Sequence, residues 1–113
     1  MAYNEVLTNR VREALTEVAN VEEKKMFRGI AFMVNGKLCV SVGNDELMCR
    51  VDPKIHDELV ERNCCRTVIM KNREYKGYVY ISEDHIKTKK DLEYWLSLAL
   101  SFNPKAKASK KSR

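Results

Sequence analysis

Glycine and proline are scarce in this chain, with four and two respectively among 113 residues. No Gly-x-Gly-x-x-Gly or Gly-x-x-x-x-Gly-Lys-Ser/Thr loop occurs, so the usual backbone cradles for nucleotide phosphates are excluded. No apolar run approaches the ~18 residues that a membrane span needs. The first ten residues also lack the apolar stretch of roughly 7–15 residues at the heart of a secretory leader. These absences predict a cytoplasmic protein with reduced cysteines and no membrane partner.

Metal-ligand spacing is missing too. A structural zinc site brings its ligands in close pairs such as C-x2-C, whose short loop lets both sulfurs reach one ion. Here Cys39 and Cys49 are far apart in sequence, and Cys64 and Cys65 are adjacent. The first two fall in strand patterns, where a free thiol acts as a small apolar side chain. A vicinal Cys64-Cys65 bridge would need a strained ring, so packing at a helix end is the expectation. His56 lies on a predicted helix and His85 in a loop, both read as exposed. Nothing places a thiolate beside either imidazole, and a thiol enzyme would need a depressed pKa at Cys64 or Cys65. The carboxylates come as sequence neighbours (Glu22-Glu23, Asp45-Glu46, Asp57-Glu58, Glu83-Asp84), which point apart on a strand or helix. The sequence therefore predicts no enzyme: no catalytic, cofactor-binding or metal-binding residue is assigned.

Acidic residues are absent from the end of the chain. Residues 105–113 hold five bases (Lys105, Lys107, Lys110, Lys111, Arg113) and account for the whole net charge of +5. The preceding 104 residues are electrically balanced, so the basic pI of about 9.1 is no sign of a basic folded surface. Lysine, alanine, serine and arginine cannot bury a core, and residues 104–113 are expected to form a disordered tail behind a domain of residues 1–103. Five phosphates are the most such a tail could neutralise, giving weak, salt-sensitive nucleic-acid contact through residues 105–113.

What is present is hydrophobic periodicity. Leu7, Val11, Ala14, Leu15 and Val18 fall on one helical face, predicting a helix over residues 4–19. The period then changes to two through Ile30, Phe32, Val34, then Leu38, Val40, Val42, then Leu47, Cys49, Val51. Asn35-Gly36 between two such runs predicts a type I′ hairpin, since both positions then need positive φ. A strand over residues 24–27 precedes them. Asp52-Pro53 has the form of a cap followed by proline at the first helical position, predicting a helix over residues 53–62. Strands follow at 66–70 and 78–81 around a polar loop, 71–77. Thr88 then opens a helix whose stripe is Leu92, Trp95, Leu96, Ala99 and Leu100. The order α-β-β-β-β-α-β-β-α predicts an α+β two-layer domain with a mostly antiparallel sheet. Tyr75, Tyr78 and Tyr80, interleaved with Lys71, Arg73 and Lys76, have the composition of a nucleic-acid clamp, but aromatic residues are also good strand formers, and that reading is favoured.

Three segments carry a family resemblance: residues 24–36 (KKMFRGIAFMVNG), 45–51 (DELMCRV) and 76–80 (KGYVY). Over residues 1–102 the chain resembles the N-terminal domain of the TfoX/Sxy family. The resemblance implies a secretion-chaperone-like α+β fold, a bacterial origin, and no established enzymatic activity or cofactor. Named members regulate competence genes as coactivators beside the cyclic-AMP receptor protein and carry a second, C-terminal domain; here a short basic tail stands in its place. Arg28 departs from the family's usual glycine, and residues 72–75 lack its common proline.

Together these readings predict an interaction module of transcription-adaptor type with a protein partner. Its tentative binding set is Lys24, Lys25, Arg28, Met33, Met48, Arg50 and Lys76. The alternative is direct nucleic-acid binding through the basic tail with Lys24, Lys25, Arg28 and Lys76. If the alternating run from Ile30 to Val51 faces the first and last helices, then Ala31, Met33, Cys39, Ser41, Met48 and Arg50 face away. That side is largely small or apolar, so it is expected to be covered by the middle helix, a partner or a second copy in a homodimer.

Overall fold

The computed structural model describes residues 4–26, 29–62, 65–70 and 72–106, with backbone only for Met26 and Met70. Asn4 caps α1 (Glu5–Ala14): its side-chain oxygen accepts the Leu7 N–H at 2.9 Å. The helix stops five residues short of the expected end. Leu15 is already buried, Thr16 donates its N–H back to Glu13, and Asn20 turns the chain in the left-handed region (φ 62). The apolar stripe thus continues through a turn instead of a helix, with Val18 packed against the core.

Six antiparallel strands follow: β1 (Val21–Met26), β2 (Gly29–Val34), β3 (Lys37–Val42), β4 (Glu46–Arg50), β5 (Arg66–Met70) and β6 (Arg73–Ser82). Their spatial order is β1-β2-β3-β4-β6-β5. Asn35 and Gly36 take φ of 56° and 77°, as the predicted turn requires. Gly29 is fixed by close approach, because a Cβ there would overlap the Val42 carbonyl oxygen. Of the stretch 71–77, expected to be a loop, Lys71 lies outside the described residues, Asn72 is in a turn (φ 64) and residues 73–77 are the first half of β6, with Met70 opposite Arg73.

Between β4 and β5 lie a 3-10 turn (Pro53–Ile55), capped by Asp52 on the Lys54 N–H, and α2 (His56–Glu61). The last helix, α3 (Lys89–Phe102), starts where Thr88 accepts the Asp91 N–H at 3.0 Å. Beyond it the described chain packs three residues past the expected domain end. Asn103–Lys105 form a 3-10 turn, the Asn103 side chain donates to the Val34 carbonyl at 3.1 Å, and Ala106 is buried. Residues 107–113 lie outside the described residues.

All three helices stand on one face of the sheet. Leu7 and Val11 of α1, Leu59 of α2, and Trp95 and Leu96 of α3 share a core with Phe32, Val40, Leu47 and Ile81. Two expectations are corrected here. Helix α2 does not cover the opposite face, because Leu59 is buried in the helix-side core and Val60 packs against it. The strict alternation also breaks in β3, where a bulge opposite Phe32 and Met33 sends Leu38 to the helix-free side and Cys39 to the helix side.

Histidine 56 is likewise not exposed. The residue is 1% accessible, Nδ1 accepts the Gly77 N–H at 2.9 Å, and Nε2 meets Thr67 Oγ1 at 2.9 Å. Since Nδ1 is an acceptor, the proton sits on Nε2 and is donated to Thr67. Gly77 has φ 92 and marks a wide bulge in β6: Thr67 pairs with Val79, and the next residue, Val68, pairs with Tyr75. One imidazole therefore ties α2 to both strands of the last hairpin.

Candidate interaction surface

The helix-free face is assembled strand by strand. Register puts Lys24 beside Ala31, Ala31 beside Ser41, Ser41 beside Met48, and Met48 beside Tyr80. Arg50 lies opposite Tyr78, and Arg66 opposite Tyr80. Ala31, Met33, Leu38, Met48 and Val68 form a second apolar cluster, with Tyr75, Tyr78 and Tyr80 packed against it. Met33 and Met48 are only 6% and 7% accessible, so the single chain already shields them. That shielding comes from neighbours in the sheet, since among the described residues no helix stands on this side.

Each of the three half-buried tyrosines has a guanidinium over its ring. Arg66 lies 4.9 Å from the Tyr80 centroid, Arg50 lies 5.4 Å from Tyr78, and Arg73 lies 5.9 Å from Tyr75. Such pairs contribute ~0.5–1 kcal/mol at accessible sites. Tyr75 and Tyr78 meet edge to face at 6.3 Å. Arg66 also forms an ion pair with Glu46. With Lys24, these arginines outnumber the carboxylates of Glu22 and Glu46 on the same face.

The tentative binding set is divided by this geometry. Lys24, Met33, Met48 and Arg50 share the helix-free face. Lys25, paired with Ile30, belongs to the helix side. Lys76 lies in the β6 bulge and bonds Asp57 on α2 at 2.7 Å, an ion pair that holds the Asp57 carboxyl below its ordinary pKa. Arg28 lies outside the described residues. The sequence-based reading missed Arg66, and it noticed Tyr75, Tyr78, Tyr80 and Arg73 only as a clamp-like composition that it set aside for strand-forming residues. The available signal was Tyr78-Val79-Tyr80-Ile81, an alternation that separates aromatic from aliphatic residues by face.

A family model for the TfoX N-terminal domain matches residues 13–103. The chain belongs to the TfoX N-terminal domain family. No curated protein and no solved structure matches it. The matched segment of this TfoX N-terminal domain includes the whole sheet and both of its faces.

Among the described residues, no group of three His, Cys, Asp or Glu could hold a metal ion. Burial pushes the Cys39 thiol up to about 12, and Cys49, fully enclosed, is pushed well above its ordinary value. Both sulfurs stay protonated near neutrality and are poor nucleophiles. Cys65 packs against the helix-side core, and Cys64 lies outside the described residues. A groove of about 410 Å³ between α1 and α3 is lined by Arg10, Glu13, Glu17, Lys89, Leu92 and Glu93, with no histidine or cysteine. Arg10 there donates to the Lys87 and Thr88 carbonyls and so braces the start of α3. No described helix is long and apolar enough to cross a membrane.

Proposed function

We propose that this TfoX N-terminal domain is a non-enzymatic interaction module of the bacterial cytoplasm, a transcription-associated adaptor that binds a protein partner through its helix-free sheet face. The observation that carries the reading is the composition of that face. Tyrosine, arginine and methionine are the residues enriched where protein interfaces concentrate their binding energy, and here three tyrosines, three arginines and two methionines adjoin without a helix above them. The rings and guanidinia are held in place before any partner arrives, which lowers the ordering cost of association.

A photo-crosslinking residue placed at Tyr78 in living cells tests this, with Tyr94 on α3, 40% accessible, as the helix-side control. Nuclease-resistant protein adducts at position 78 and none at position 94 are expected. Equal adducts at both positions, or none at 78, would refute the reading. A second reading, nucleic-acid contact, draws support from the excess of Lys24, Arg50, Arg66 and Arg73 over Glu22 and Glu46. It requires nuclease-sensitive adducts and an affinity falling with salt by a log–log slope of about −0.9 per neutralised phosphate.

A further inference from the structure

We infer that the free edge of β5 pairs with β5 of a second copy, making a two-fold dimer whose two sheets run together. Among the described residues, the sheet ends on β1 at one side and β5 at the other. An unpaired edge presents a row of backbone donors and acceptors and is usually blunted by charge. In β1 the four central residues, Glu22, Glu23, Lys24 and Lys25, are all charged. In β5 the only charge is Arg66, at one end. Its guanidinium is held over Tyr80 and paired with Glu46, inward from the edge.

Ile69 adds a second mark. It is 59% accessible, and within the sheet its neighbour is Glu74, so no apolar side chain lies beside it across the ladder. A two-fold axis normal to the sheet and passing through Val68 supplies one. Antiparallel pairing then sets Val68 against its copy, Thr67 against Ile69, and Arg66 against Met70. No like charges face each other, and each Ile69 gains the methyl group of a Thr67. An axis between residues would instead match helix-side positions to helix-free ones, which the pleat forbids.

This pairing closes. Both β5 edges are used once, and the outer edges of the joined sheet are two copies of β1, whose charges oppose further addition. The helices of both copies stand on one side. On the other side the rows of Tyr75, Tyr78 and Tyr80 from the two chains become one continuous platform. The second copy therefore enlarges the interaction surface and does not cover it.

Sedimentation and light scattering on the full chain test the inference. The unaltered chain is expected to have a two-chain mass, and Ile69→Lys a one-chain mass at the same concentration with an unchanged melting temperature. Thr67→Cys with Ile69→Cys, in a Cys64→Ser, Cys65→Ser background, is expected to give a covalent dimer on mild oxidation, whereas Glu22→Cys on β1 in that background is not. A one-chain mass for the unaltered chain overturns the inference, as does a dimer that survives Ile69→Lys. If Ile69→Lys lowers the melting temperature, the cross-link decides: its absence, or equal linking at position 22, overturns the pairing. None of these outcomes depends on whether a partner binds the helix-free face.

Discussion

One sheet here has two apolar faces with different protection. On the helix side, Phe32, Val40, Leu47, Val79 and Ile81 have essentially no accessible surface, with α1, α2 and α3 packed over them. On the other side, Met33, Leu38 and Met48 keep 6–7%, in a cluster against which Tyr75, Tyr78 and Tyr80 of the same sheet pack, with Arg50 and Arg66 over two of those rings. The first arrangement excludes water by adding a layer. The second does so by packing long side chains of the same layer against their neighbours. Burial alone therefore does not distinguish a helix-covered core from an open face; what lies above it does.

The comparison is broken most severely from the helix side. Phe32→Ala should cost ~3–5 kcal/mol in a urea titration, because the helices above cannot collapse fully into the space. His56→Ala should cost about 2–3 kcal/mol, since it leaves the buried Gly77 N–H without its acceptor and opens a void under α2. Met48→Ala should fall near the low end of such truncations, about 2 kcal/mol, because side chains on an open face can settle into the gap. A Met48 cost above that of Phe32 would show the helix-free face to be the better packed of the two. Met48→Glu, which would only weaken a dimer if the side chain were exposed in the protomer, should instead destabilise the single chain, because it puts a carboxylate where 7% of the residue is accessible.

The smallest effect belongs to the periphery. Glu23 on β1 accepts from Arg12 of α1 at 2.6 and 2.7 Å, and that bond lowers the carboxyl's pKa despite slight desolvation. A folded-state pKa below the unfolded one means the contribution is present at neutral pH and is lost as pH falls through the lowered value. Glu23→Gln should therefore cost less than ~1 kcal/mol at pH 7, and the difference from the unaltered chain should shrink under acid.

Local chemistry was legible in the sequence wherever one or two residues decide the outcome. Asn35-Gly36 demanded its turn, Thr88 its helix start, and the alternation from Ile30 to Val51 its strands. The family resemblance and the α+β order were legible for the same reason. The bulge at Cys39 was not, since Leu38, Val40 and Val42 alternate without interruption and nothing in them announces an extra residue. Nor could the sequence place α2, because Leu59 fixes which side of the helix is buried but not which side of the sheet receives it. The tyrosines were visible as composition, yet their convergence with Arg50 and Arg66 depends on pairings between β4, β5 and β6 that only the assembled sheet supplies.

Gly77 interrupts β6 in a way that bears on how the domain opens. It donates its N–H to His56 Nδ1 at 2.9 Å and its carbonyl accepts the Val51 N–H at 2.7 Å, so its peptide groups are held by α2 and by the chain leaving β4. Protection against hydrogen exchange at this amide should follow the unfolding of α2, whereas amides near the Asn72 turn should exchange through fraying of the hairpin tip. Amides at the two ends of the first half of β6 would then report two separate opening events. That result would make the long strand a clutch, with an outer part free to loosen while its inner part stays engaged with the helical layer.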